Sequence, residues 1–504
     1  RDPEMSRGLG DVYKRQAMTF VGCDDFLDKS ALGQLTNEEF FVTEDDAVAA
    51  VVGATSIYKD YRYTRSIWSF GDITSDDATA SGSDNDVSAA RRWENLAFHA
   101  DYGRIGDRWN ACFRAINRAM QAIEGIEKME AGIFKNYKQN YLIGEAYFTK
   151  AYFYFEAVRT WGDLPLITAT PVLADKNKRR SPKEEVYALI ESDLTYATQN
   201  LPRKKELDSK DLGRATSDAA WALLAKVYLY QGKYAEAKKA IEDNLLPLVP
   251  AEYDLMENYE DIFSMLHEHN KESIFEINFR HKSDDKGLTT TGNYSAYAQG
   301  PRPFAGYGGN QPLQLLADAF ESGDERKDAT LLTIQDLENW ETAADFSSLE
   351  FNRTGYYNQK VYIKPSERIG TESIFTMPNN LRIIRLSEVY LIYAEAVCKL
   401  GTDDALAREY LNKVRRRAGL LDNTTATGEA LFDAIINENR YEFAMEGHRY
   451  FDLVRTGKAE AVLSSPAFKA VKPNAVFRPG YSELFPIPQS EIDNSQGYIT
   501  QNPM

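Results

Sequence analysis

The residues best suited to chemistry lie near the end of the chain. In Asn439-Arg440-Tyr441-Glu442-Phe443-Ala444-Met445-Glu446-Gly447-His448-Arg449-Tyr450-Phe451-Asp452-Leu453-Val454-Arg455, two glutamates stand four residues apart among three arginines. On a helix that spacing puts Glu442 and Glu446 on one face, with Arg440 and Arg449 in reach as ion-pair partners and Asp452 and Arg455 extending the pattern. Two acids about 5–9 Å apart across a sugar ring would hydrolyse a glycosidic bond. Carboxylates bracketed by guanidinium groups keep low pKa values, however, which suits a scaffold and not a general acid. The five histidines form no ligand pattern: His267 and His269 are two apart, and no HExxH, nucleophile elbow, Walker loop or strand-helix GxGxxG is present. An acidic stretch with Asp72, Asp76, Asp77, Asp84 and Asp86 lacks the twelve-residue ligand order of an EF-hand. It reads as a solvated loop, with structural calcium the only ion it suggests. We expect no catalytic residues and no other cofactor.

The elements that position such residues are helical. Trp221, Leu224, Ala225, Tyr228 and Leu229 recur at helical spacing, Gly232 stops the run, and Tyr234, Ala237, Ala240 and Ile241 begin a second apolar face. Small alanines that let paired helices approach, with aromatics between them, are the pattern of a tetratricopeptide repeat. Similar halves run from Trp109 to Ile126, Tyr141 to Val158, Val389 to Leu400 and Ala405 to Ala418. Ser181-Pro182 opens a further helix, with Ser181 as its expected cap. Ser273 to Phe279 alternates as a strand. Roughly 280–380 is rich in Gly, Tyr, Asn, Pro, Ser and Thr and reads as loops with short strands, and the aspartate-bearing stretch 68–88 as a second loop-rich region, where a rigid scaffold commonly displays its binding groups.

Bulk composition narrows the function. The chain has 504 residues, 43% hydrophobic and 12% aromatic, and a net charge of −17. That excess of acid argues against a nucleic-acid surface, which depends on Lys and Arg. The three cysteines, Cys23, Cys112 and Cys398, make no disulfide framework. Cys112 and Cys398 fall on apolar helix faces. Cys23 follows Phe20-Val21-Gly22 and precedes Asp24-Asp25-Phe26-Leu27-Asp28, an arrangement like a bacterial lipobox. Acyl chains on Cys23 would hold a soluble body at a membrane without a spanning helix. Arg1 to Gln16 is charged and has no apolar core of a signal peptide, so residues 1–22 read as an artefactual or signal remnant outside the fold.

Several blocks in order resemble the SusD/RagB family of Bacteroidetes nutrient-uptake lipoproteins: Arg385 to Ala396, Leu411 to Gly419 and Tyr441 to Arg455. Support comes from Cys23–Asp28, Gly71–Asp77, Phe320–Lys327, Leu484–Ile492 and Asn502-Pro503. The chain departs where Asn439-Arg440 replaces a frequent arginine pair and Tyr450 a frequent Trp. The resemblance implies a mainly α, tetratricopeptide-like α-α superhelix with loop-rich, short-strand insertions. Residues 23–270 would form a helical-repeat region and 271–504 a C-terminal region of the same body. It also implies a lipid anchor at the outer face of the outer membrane, and a SusC-like TonB-dependent transporter as partner. The cargo would be oligosaccharide, or peptide in some branches. A periplasmic tetratricopeptide scaffold is the reading from another class, and a glycoside hydrolase comes last. Capture of a glycan needs aromatic faces for sugar C–H groups and polar side chains for hydroxyls. The loop residues that fit are Trp93, Tyr294, Tyr297, Tyr307 and Trp340, with Asp76, Arg302 and Asn310 as polar partners.

Overall fold

The computed structural model describes residues 40–81, 91–170, 178–280, 292–301, 306–341, 352–368 and 377–503. Cys23 and Arg302 therefore lie outside the described residues.

Among the described residues of the first half are seven α-helices: α1 (Glu44–Thr55), α2 (Tyr61–Gly71), α3 (Gly103–Glu127), α4 (Gln139–Trp161), α5 (Lys183–Asn200), α6 (Ser217–Tyr230) and α7 (Tyr234–Asn244). Their order in space follows their order in sequence, α3 on α4, α4 on α5, α5 on α6 and α6 on α7. The array then continues across the chain. α7 packs on a helix of the second half, Leu386–Leu400, which in turn packs on Asp404–Arg417 and Gly428–Glu442. With the short helix Tyr294–Gln299 as α8, these three are α9, α10 and α11, and Arg449–Arg455 is α12. The helix pairs expected from the spacing of Ala and Tyr are thus present, and the protein is mainly helical.

Local chemistry sets the ends. Thr43 and Asp46 form a reciprocal capping box on α1, and Thr216 accepts from the Ala219 amide to cap α6. Gly232 sits at φ 70° between α6 and α7, the left-handed turn that its position predicts. The start of α5 differs from expectation. Ser181 spends its backbone on a bridge to Leu164, Pro182 takes the cap position, and the Lys183 amide donates to Asp163 Oδ1 at 2.9 Å. The cap comes from Asp163, just beyond the end of α4, and not from the adjacent serine.

Strands are few and short. β1 (Ala78–Thr79) pairs antiparallel with β3 (Gln311–Pro312), β2 (Ser273–Ile277) with β6 (Leu381–Arg385), and β4 (Leu331–Thr333) with β5 (Tyr356–Asn358). β2 is buried along its whole length and not on alternate faces, because α6 packs on it and Phe275 meets the rings of Tyr58 and Phe148. One apolar core runs from Ala47 to Ile499 through both halves. Among the described residues no helix is long and apolar enough to cross a membrane.

Candidate functional site

The conspicuous carboxylates are structural in their surroundings. Helix α11 ends at Glu442, with Phe443 as its cap and Met445 and Gly447 at φ 65° and 82°, so Glu446 leaves the helical register. The expected pairing is also redistributed. Glu442 is fully buried and meets Arg385 at 2.8 Å, Arg326 at 3.2 Å and Arg417, while Glu446 meets Arg385 at 2.9 Å and Lys360 at 2.8 Å. Burial by itself raises the Glu442 pKa, but the three guanidinium groups outweigh it and hold the carboxyl well below its usual range. A group so held has no proton to give a leaving group.

Arg440 and Arg449 turn away from these glutamates toward the acidic loop. Arg449 grips Asp76 at 2.9 Å, and Arg440 reaches Asp76 at 2.9 Å and Asp77 at 2.7 Å. Asp72 accepts from the Gly447 amide at 2.8 Å and from Asn310 Nδ2 at 3.0 Å. The Lys472 ammonium, buried, donates to the carbonyls of Ile73, Ser75 and Ala78 at 2.6–2.7 Å. The described part of the loop is therefore a buried joint between α2 and the C-terminal motif, and not a solvated turn. Among the described residues no group of three His, Cys, Asp or Glu side chains is placed to hold a metal ion.

The aromatic candidates divide. Trp93 is 0% exposed, packed among Phe70, Phe98, Tyr102 and Phe485 with ring centroids 4.4–5.6 Å away. Asp76 and Asn310 are likewise interior, and none of the three presents a face to solvent. Tyr294, Tyr297 and Tyr307 do come together. Centroids are 5.7 Å apart for Tyr294–Tyr297 and 4.9 Å for Tyr297–Tyr307. Tyr297 is buried beneath, Tyr294 is half-buried, and Tyr307 is 44% exposed.

Sequence reasoning missed a fourth ring. Tyr61, first residue of α2, meets Tyr294 edge-on at 5.2 Å, and the guanidinium groups of Arg62 and Arg65 lie 5.4 and 5.5 Å from its centroid. Its signal was the run Tyr61-Arg62-Tyr63-Thr64-Arg65, aromatic and basic by turns. Two helix starts build this platform. Asp60 caps α2 by accepting from the Arg62 amide, and Asn293 caps α8 by accepting from the Ala296 amide. Burial first, then the neighbouring Tyr307 hydroxyl, pushes the Tyr294 phenol up to about 12, so it stays protonated in neutral water and can both donate and accept.

Trp340 lies elsewhere, at the end of the helix Ile334–Trp340 and not on a loop. It stacks on Tyr362 at 6.1 Å and 19°, with Lys364 Nζ 5.2 Å from its ring. Tyr362 and Arg368 both bond Glu341, which fixes this second, smaller aromatic pair.

Two family models match the sequence. One, described as "SusD family", covers residues 271–504, and the other, "Starch-binding associating with outer membrane", covers 25–229. The chain belongs to the SusD/RagB family. Among its relatives is SusD-like protein P25 of Formosa agariphila, 26% identical over 95% of each chain. A solved laminarin-binding SusD-like protein superposes with a TM-score of 0.78 at 29% identity, over 92% of this chain and 99% of the other. Surface glycan-binding protein A of Bacteroides thetaiotaomicron, solved with laminarihexaose, gives 0.75 at 25% identity, over 92% and 100%. In this chain Tyr61 on α2, Tyr294 and Tyr297 on α8 and Tyr307 just after α8 stand together.

Proposed function

We propose that this protein is a non-catalytic surface receptor that captures an oligosaccharide on the platform of Tyr61, Tyr294, Tyr297 and Tyr307. It then passes the glycan to a SusC-like TonB-dependent transporter in the outer membrane. The observation that carries the reading is the convergence of Tyr294 and Tyr297 of α8, placed on a helix and not on the loop expected from the sequence, with Tyr61 and the exposed loop residue Tyr307. Tyrosine faces suit the C–H sides of a sugar ring, while phenol and guanidinium groups serve its hydroxyls. The glycans named for the laminarin-binding relative and for surface glycan-binding protein A support a carbohydrate cargo and make β-glucan fragments the first ligands to try. Trp340 with Tyr362 is proposed as a second contact for a longer chain. The motif carboxylates, each held by arginine or lysine, support the non-enzymatic assignment. Acylated Cys23 would supply the anchor, and the net charge of −17 agrees with the absence of nucleic acid among its partners.

The test is a titration of purified protein against soluble polysaccharides, oligosaccharides and a mixed peptide pool, with product analysis of every mixture. Saturable glycan binding without product is expected. Binding confined to peptides would overturn the carbohydrate assignment, and release of shorter sugars would overturn the receptor reading.

A further inference from the structure

The far face of α8 looks onto a different space. Between α2, α4 and α6 on one side and β6, α8 and the 445–448 turn on the other lies a cavity of about 90 Å³. By volume it holds roughly six waters or one sugar-sized ring. Trp68, Tyr152, Phe155 and Phe263 give it aromatic walls, and Asn293, Gln299, Asn379 and Asn380 give it amides. Four cations line it, each beside a carboxylate: Arg159 by Glu156, Lys226 by Glu388, Lys360 by Glu446 and Arg382 by Glu276.

Three polar atoms of these lining side chains are buried without a hydrogen-bond partner: Arg159 Nε, Arg382 Nε and Asn379 Oδ1. The rest of each group is committed. Arg382 donates through its Nη atoms to the Asn380 and Ser264 carbonyls at 2.8 and 2.9 Å, leaving its Nε 3.6 Å from Glu276. Asn379 donates to the Val361 carbonyl at 3.3 Å, and Arg159 pairs with Glu156 at 2.6 Å. Asn379 and Arg382 are more than nine-tenths buried. Unpartnered buried groups are few in folded proteins, and each calls for a partner. The orphaned Arg159 Nε–H wants an oxygen, best an anionic one, Arg382 Nε–H beside Glu276 has a hydrogen bond still to make, and the orphaned amide oxygen of Asn379 wants a hydroxyl. His448, at the wall, shows the sign of the local field: burial and then Lys226, Arg159, Arg385 and Lys360 hold its pKa well below the usual value.

We propose that this cavity is an internal binding site for a small hydroxylated carboxylate, a monosaccharide of the uronate class. A carboxylate oxygen accepts from Arg159 Nε–H and its partner oxygen from Arg382 Nε–H, a ring hydroxyl donates to Asn379 Oδ1, and the aromatic walls cover the C–H faces. The site is separate from the tyrosine platform and does not rest on the function assigned there.

The test is calorimetry of the whole protein with sodium D-glucuronate and with D-glucose. Glucuronate is expected to bind at one site, about tenfold or more tighter than glucose, since charge-assisted hydrogen bonds are the stronger kind. Asn379→Ala should weaken it about tenfold, as removal of a paired acceptor does, and Ile383→Phe, which fills the cavity, should abolish it. The platform variant Tyr294→Ala/Tyr307→Ala should leave it unchanged. Glucose binding as tightly as glucuronate, retention in Ile383→Phe, or loss in the platform variant would each overturn the proposal. If the cavity variants do not fold, a glucuronate-soaked crystal of the natural protein decides: density for the sugar acid supports the site, and density for water alone refutes it.

Discussion

Glu442 owes its ionised state to three guanidinium groups that have no water to share. Removing one partner of such a buried set leaves uncompensated charge, which costs about 3–5 kcal/mol. Glu442→Gln should therefore lose about that much stability at neutral pH, as read from urea melts. The sign with pH follows from the depressed pKa of the folded state. The contribution is full above the ordinary glutamate value of 4.5 and is lost as pH falls through the folded value. The natural protein should lose stability steeply in that acid window, and Glu442→Gln less steeply. Equal slopes would mean that Glu442 is not the group titrating. Lys472 makes a second test at this scale, because its ammonium satisfies three carbonyls of the 73–78 turn. Lys472→Met leaves them orphaned at about 1–3 kcal/mol each. A net loss above about 3 kcal/mol is expected by thermal or chemical denaturation. These roles were half legible in the chain. The glutamates were readable as scaffold, but their partners Arg326, Arg385 and Arg417 come from three other segments that no helical spacing connects to them.

Helix pairs were the most legible elements, since α3, α4, α6, α7, α9 and α10 follow from apolar spacing and the α6–α7 turn from Gly232. The acidic loop was not, because its burial depends on a motif more than 360 residues away. Contact between those elements is backbone against backbone. A Cβ at Gly71, the last residue of α2, would stand 2.0 Å from the Gly447 carbonyl oxygen, and one at Gly447, already at φ 82°, would stand 2.8 Å from the Ile67 carbonyl oxygen. Neither neighbour can swing aside. Gly71→Ala should thus destabilise by about 1–3 kcal/mol or more, as overpacking does, while Gly53→Ala, with open space around it, should be neutral or mildly stabilising. Matching melts of the two variants would show that α2 does not dock against the 445–448 turn. The tyrosine platform was legible in type and not in membership. Tyr294, Tyr297 and Tyr307 are near in sequence, whereas Tyr61 joins them only through the packing of α8 on α2. Trp93, on an equally polar stretch, is drawn inward by Phe70, Phe98 and Phe485.

At the scale of the molecule, the two halves share one core, and α7 and α9 carry the helical array across them. Residues 271–504 expressed alone would expose the faces of α9 and β6 that now meet α7 and α6, so no dispersed amide spectrum is expected from that fragment. A well-dispersed one would show an independent C-terminal domain. Such a rigid body can hold surface rings in place before a ligand arrives, which lowers the ordering cost of binding. In the proposed function, glycan capture occurs on those rings. Calorimetric titration of laminarihexaose, or of the glycan that binds best in the panel, into the natural protein and into Tyr294→Ala/Tyr307→Ala tests it most directly. Saturable binding that the double variant weakens by about tenfold or more, at unchanged melting temperature, is the result predicted from the loss of two aromatic contacts. Equal affinity in the two proteins would contradict it.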